Sequence, residues 1–162
     1  MNRIIANGLQ NRKTAGKETS NTGGNIMKIK LDKGAYAPTR AFNTDAGLDI
    51  RAMHGAVLGP MDSYTIHTGV HIQLPPGTCG ILVSKSGLNT HHDITSTGLI
   101  DESYCGEILV RLHNHSRKYY DVRPGDKITQ LVIVPCLYEP VEVVDAISGG
   151  DRGDSGFGST GK

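Results

Sequence analysis

A chain of 162 residues and 17.3 kDa has room for one domain built around one hydrophobic core. Its formal net charge of +1 gives no global basic excess for nucleic-acid binding, and no apolar run approaches the roughly 20 residues that cross a bilayer. Trp is absent and Phe nearly so, which leaves Val, Ile and Leu to build the core.

Residues 1–26 are rich in Asn, Gly, Thr and Lys, with Ile4, Ile5 and Leu9 as their sizeable apolar side chains. Such a stretch buries too little surface to offset its ordering entropy, so a flexible polar tail is expected. Two other readings stay open. The segment is basic and nearly free of acids, as transit peptides are, though it lacks their arginine density and amphipathic pattern. Alternatively, Met27 is the true start, since MKIKL opens the first strand-like pattern.

From residue 27 the period is two. In 66–74, Ile66, Thr68, Val70, Ile72 and Leu74 share one face, and His67, His71 and Gln73 the other, which predicts a half-buried strand. In 107–113, Ile108, Val110 and Leu112 alternate with Glu107, Arg111 and His113, although Leu109 breaks the polar face. The run Leu131-Val132-Ile133-Val134 is apolar on both faces and suits a fully buried strand or a subunit contact. Shorter candidates are 28–31, 80–83 and 141–144. Pro75-Pro76-Gly77, Pro124-Gly125-Asp126 and Gly149-Gly150 punctuate them as turns. No long window supports an amphipathic helix. Short strands with regular punctuation predict an all-β barrel or jelly roll.

Cys79, Cys105 and Cys136 are odd in number and far apart, so neither a disulfide framework nor a zinc site is expected, and a reducing cytoplasm is the natural home. His67/His71, His91-His92-Asp93 and His113/His115 lack a third ligand at a recognised spacing, so they are read as solvent-facing side chains.

Five short segments stand out for glycine, acid or hydroxyl content: AGLDIRA at 46–52, SKSGL at 84–88, GLIDESYCG at 98–106, PGDKITQL at 124–131 and RGDSGFGSTG at 152–161. Each alone has a bland explanation as a cap, loop or hairpin tip. Gly156 to Lys162 also fits most of a P-loop pattern, but no Ser or Thr follows Lys162 and no helix opens there, so that reading fails. A glycine run with Ser159 and Thr160 still offers N–H groups and hydroxyls to an anion.

In order and spacing the five segments resemble the motifs of the trimeric all-β dUTP diphosphatases, from residue 28 to 162. The resemblance implies a β-clip or jelly-roll-like barrel over 27–150, assembled as a homotrimer, with 151–162 as a glycine-rich arm closing over a neighbouring site. It implies hydrolysis of dUTP to dUMP and pyrophosphate, with Mg2+ on the substrate phosphates and no direct protein ligand. Asp101 would bond the 3′-hydroxyl and orient the water that attacks the α-phosphorus. Tyr104 would pack under the sugar and reject a 2′-hydroxyl. Gly98, Leu99, Ile100 and Gly106 would read uracil mostly through backbone groups. Lys85, Ser86, Gly87 and Gln130 would meet the phosphates, and Asp49 would hold a water on the magnesium. Arg152 would contact the phosphates, Phe157 would stack on uracil, and Gly158 and Ser159 would close the site.

Three departures from the family pattern stand out. Lys85 replaces a usual arginine and loses its bidentate fork, and Ser155 replaces a glycine. The segment between Gly87 and Gly98 is short, which leaves the base-facing residue near Thr97 unassigned. The sister dCTP deaminases need a glutamate where this chain has Arg111, so deamination is disfavoured. A regulatory module switched by nucleotide, as in members carried by mobile elements, is the other alternative.

Overall fold

The computed structural model describes residues 26–147, 149 and 150. The expected tail over 1–25 and the arm over 151–162 lie outside the described residues. The elements in chain order are β1 (Lys28–Leu31), β2 (Gly47–Arg51), β3 (Ala56–Leu58), β4 (Ser63–Gln73), β5 (Thr78–Ser84), α1 (Ser86–His92), β6 (Ile94–Ile100), β7 (Glu107–Asn114), β8 (Tyr120–Val122) and β9 (Lys127–Pro135). The fold is all-β, as the period-two patterning predicts, with a single short helix among the described residues.

Seven strands form one antiparallel sheet in the order β1-β4-β7-β6-β5-β9-β2, and β3 pairs with β8 beside it. Ile50 from one edge strand, Ile66 and Val110 from near the other, and Leu58 and Val122 from the small sheet all enter one core cluster. A flat sheet cannot bring its edges to one core, so the sheet curls around it. Apart from Ala52, the buried members of this cluster are Leu, Ile and Val, as the composition requires.

Strand β4 realises its alternation: Ile66, Thr68, Val70, Ile72 and Leu74 are buried. The register against β7 shifts between His67 and His71, where Gly69 adopts φ +63°. A Cβ there would lie 2.7 Å from Ala35 and 2.8 Å from the Met53 sulfur, so both backbone and space require glycine. In β7, Ile108, Val110 and Leu112 are fully buried, and Leu109 faces outward.

The run 131–134 is central in the sheet; of the two readings open for it, full burial does not hold within one chain, where Leu131 is fully buried but Val132, Ile133 and Val134 are half-exposed. Two further expectations need correction. The predicted strand 141–144 does not form: Val141 and Val143 stand more than nine-tenths exposed, because a strand needs an edge to pair with and this segment meets none among the described residues. Finally, Ser86–His92 is helical. It buries no residue, which is why the sequence carries no amphipathic signal for it.

Candidate active site

The third motif forms the connection between β6 and β7. Near its base the two strands pair, Ile94 with Asn114 through Ser96 with Leu112. Beyond that they part: Thr97–Ile100 pairs with β5 instead, while Glu107 to Arg111 pairs with β4. The facing edges of 97–100 and 107–111 are therefore free of strand pairing and leave a slot whose walls are backbone N–H and C=O groups.

A cavity of about 210 Å³ at this slot is lined by Leu99, Ile100, Asp101, Tyr104, Glu107 and Leu109. A larger one of about 510 Å³ is lined by Cys79, Leu99, Asp101, Glu102, Ser103, Cys136 and Tyr138. Asp101 and Leu99 border both. The Ile100 side chain is in the core, so only its backbone serves the slot.

The slot's tip is tied down. The Tyr104 N–H donates to the Asp101 carbonyl at 3.0 Å, closing a turn. The Tyr104 hydroxyl donates to the Glu107 carbonyl at 2.8 Å, which lays the ring across Gly106. A Cβ on Gly106 would sit 2.5 Å from that hydroxyl, so the glycine is required by the ring. At Gly98 a Cβ would lie 3.1 Å from Leu82, and glycine there allows close packing of β6 on β5.

Two glutamates brace the hairpin. Glu102 accepts the Gly77 N–H at 2.8 Å and the Tyr138 hydroxyl at 2.7 Å. The bond from Tyr138, then that from Gly77, hold the Glu102 carboxyl below its ordinary pKa, and the same contact pushes the Tyr138 phenol up to about 12. Glu107 accepts the N–H groups of Thr68 (3.0 Å) and Gly69 (2.8 Å) and sits 2.9 Å from His67 Nδ1. Burial raises its pKa, but the Gly69 N–H and His67 outweigh that and the net shift is downward. The base of β7 is thus locked to the β4 bulge.

A second cluster gathers the first, second and fourth motifs. Strands β2 and β9 pair with Asp49 opposite Gln130. Lys85 precedes α1 as its N-terminal cap residue, with φ −72° and ψ 125°, and Ser86 and Gly87 open the helix. Asp49 is buried, with Lys85 Nζ at 2.9 Å from Oδ1, Lys127 Nζ at 2.6 Å from Oδ2 and Gln130 Nε2 at 3.3 Å from Oδ1. Burial alone would raise the Asp49 pKa; hydrogen bonds from Lys127 and Lys85 outweigh it and hold the carboxylate below its ordinary value. Space is open around a Cβ at Gly87, so the first turn of α1 is accessible.

The structure thus groups Gly98, Leu99, Ile100, Asp101, Tyr104 and Gly106 at one slot, and Asp49, Lys85, Ser86, Gly87 and Gln130 at a second cluster. Arg152, Phe157, Gly158 and Ser159 lie outside the described residues. Thr97 is exposed on β6 opposite Val83. The Arg111 guanidinium donates to Thr65 Oγ1 at 3.1 Å and Ser63 Oγ at 2.5 Å on β4. Sequence reasoning missed Lys127, Glu102 and Tyr138. Lys127 and Glu102 lie inside recognised motifs, but neither spacing nor residue type shows that their partners are Asp49 and Tyr138.

No group of three His, Cys, Asp or Glu side chains among the described residues is arranged to hold a metal ion. No helix among the described residues is long and apolar enough to cross a membrane.

The family model described as dUTPase matches residues 33–161. The deoxyuridine 5′-triphosphate nucleotidohydrolase of Gloeothece citriformis is 42% identical over 139 residues, covering 84% of this chain and 96% of that protein. The human mitochondrial protein of the same designation is 37% identical over 134 residues, covering 82% of this chain and 53% of that one. Among solved structures, the Staphylococcus bacteriophage 80alpha dUTPase with dUPNHPP superposes with a TM-score of 0.79 at 30% identity, over 85% of this chain and 99% of that one. The phage phi11 dUTPase from S. aureus, whose structure addresses coordination of a structural Mg(II) ion, superposes with a TM-score of 0.70 at 28% identity, over 75% of this chain and 98% of that one.

Proposed function

This chain belongs to the dUTPase family and is a hydrolase of dUTP, and from that premise we propose that the β6–β7 slot holds the deoxyuridine with Asp101 as the proton acceptor. The observation that carries this reading is the parting of the two strands. A planar base entering the slot finds the donors and acceptors that a strand partner would otherwise satisfy, at the edges of Gly98, Leu99 and Ile100. Uracil presents alternating acceptor and donor positions and can pair with such an edge. The exposed Asp101 carboxylate stands at the slot's mouth, bordering both cavities.

Hydrolysis of a phosphoanhydride asks for positioning, charge neutralisation and an aligned water rather than covalent work by the protein. Asp101 orients the attacking water and accepts its proton, an effect typically worth about 10²–10⁴ in rate. The Tyr104 ring, fixed by its bond to Glu107, forms the floor under the sugar and leaves no space for a 2′-hydroxyl. Lys85, Ser86, Gly87 and Gln130 receive the phosphates.

Magnesium carried on the triphosphate would neutralise charge building on the phosphate oxygens. Mg2+ is commonly bound through substrate phosphates and one or two carboxylates rather than by a dedicated protein cage. Asp49 does not fit the expected water-holding role: both its oxygens are taken by lysines.

Assembly as a homotrimer is supported by surface that one chain leaves uncovered. Val132, Ile133 and Val134 are half-exposed in mid-sheet, and Leu137, Val141, Val143 and Ile147 stand more than 85% exposed beyond it. Sedimentation showing a stable, active monomer would contradict the trimer. The arm over 151–162 is proposed to close the site by resemblance alone, and deleting it should abolish most activity while leaving the melting temperature unchanged.

The reading is tested by pyrophosphate release from dUTP, dCTP, dTTP and UTP side by side. Turnover of dUTP far above the other three is expected. Equal turnover of dUTP and UTP would remove the assignment of the slot.

A further inference from the structure

The Asp49 cluster performs a task that the motif resemblance does not give it. Asp49 is 3% exposed, and each of its oxygens holds a different ammonium group. A carboxylate oxygen accepts about two hydrogen bonds, so Lys85 and Gln130 fill Oδ1, and Lys127 takes one of the two places on Oδ2. A hydrated divalent cation would have to enter beside two ammonium groups, where like-charge repulsion opposes it. The lysines themselves are not enclosed: their side chains are 27% and 32% exposed, and each ammonium has three donors. The cluster carries two positive charges on one negative charge, beside the open first turn of α1.

The Lys85 departure now has a structural consequence. An arginine fork there would engage both carboxylate oxygens at once. A lysine takes one, and the second remains for Lys127 from β9. Without Asp49 the two ammonium groups would repel each other; with it they form a fixed cationic pair. Such a pair matches a polyphosphate, which needs point charges at fixed positions.

Resting on the dUTP-hydrolase reading, we propose that Lys127 is a phosphate-binding residue paired with Lys85 across Asp49, and that Asp49 anchors the two lysines instead of holding a water of the metal ion. Phosphates entering at Ser86 and Gly87 would meet both ammonium groups. The pair supplies charge neutralisation before any metal arrives.

The test uses the full chain and a dUTP analogue with an α,β-imido bridge, by calorimetry in EDTA and again with magnesium. Lys127→Gln should weaken binding about tenfold or more in both buffers, the loss expected for a charge-assisted contact. It should also flatten the salt dependence of binding, whereas a purely structural lysine would lower the melting temperature and leave the salt dependence of binding as it is. Asp49→Asn should leave the magnesium concentration for half-maximal hydrolysis within about twofold of the unsubstituted protein. Analogue affinity unaltered by Lys127→Gln in EDTA would overturn the proposal, as would a tenfold rise in magnesium requirement in Asp49→Asn. If Asp49→Asn does not fold, the Lys127→Gln calorimetry decides alone. Failure of the unsubstituted protein to hydrolyse dUTP would remove the underlying reading, whereas normal hydrolysis with an inert Lys127→Gln removes this proposal only.

Discussion

Gly106→Ala separates stability from selectivity at the slot. The backbone accepts alanine, since Gly106 has no positive φ. The obstacle is the Tyr104 ring: the new Cβ would stand 2.5 Å from the hydroxyl, 2.6 Å from Cζ and 2.9 Å from Cε2, where ordinary contact begins near 3.4 Å. The ring must therefore withdraw by roughly 1 Å, and its 2.8 Å bond to the Glu107 carbonyl breaks. That bond is worth about 0.5–1.5 kcal/mol net. Because Tyr104 is 42% exposed, the ring swings into solvent without disturbing the core. The melting temperature should fall by only about 2–4 °C.

Catalysis should suffer more. A 1 Å displacement of a positioning group costs on the order of 10²-fold in rate, and the lost floor under the sugar should let UTP compete. Scanning calorimetry and kcat/KM for dUTP and UTP measure the two effects separately. Tyr104→Phe, which removes the hydrogen bond but keeps the ring, should sit between the unsubstituted protein and Gly106→Ala. An unchanged preference for dUTP over UTP in Gly106→Ala, with the ring demonstrably displaced, would refute the assignment of Tyr104 to sugar discrimination.

Asp101→Asn should lower kcat by about 10²-fold or more while retaining analogue affinity, because the geometry survives and the proton acceptor does not; turnover close to that of the unsubstituted protein would place the base elsewhere. Met61 holds φ +56° after Pro60 in the turn from Gly59 to Asp62, a conformation that suits glycine. Met61→Gly should therefore stabilise by about 0.5–1 kcal/mol, read as a higher denaturant midpoint. Glu107 has a folded pKa below its ordinary value of 4.5, so its contribution to stability is complete above that value and fades as pH falls through the lower folded value. Melting temperatures between pH 3 and pH 7 should consequently fall less steeply on acidification in Glu107→Gln; parallel curves would show that Glu107 does not bind the bulge as an anion.

The sequence by itself determined the class of fold. Alternation in 66–74 and, apart from Leu109, in 107–113 needs no tertiary information, because side chains of a strand point to opposite faces at every step and one face is buried. The motif segments were equally legible, since their residue types and order are properties of the chain. Helix α1 was not, because a helix that buries nothing leaves no apolar stripe to read. The strand pattern at 141–144 misled for the converse reason: alternation shows what a segment could pair with, while pairing itself depends on an edge being present. Tertiary structure alone decided the partnerships. Asp49 and Lys127 are far apart in sequence and meet only because β2 lies antiparallel to β9. Likewise, the slot exists because β6 and β7 leave each other for different neighbours. Electrostatic partners and unpaired backbone edges depend on distance in space, and distance in space is fixed by sheet topology and register, which one strand's pattern does not contain.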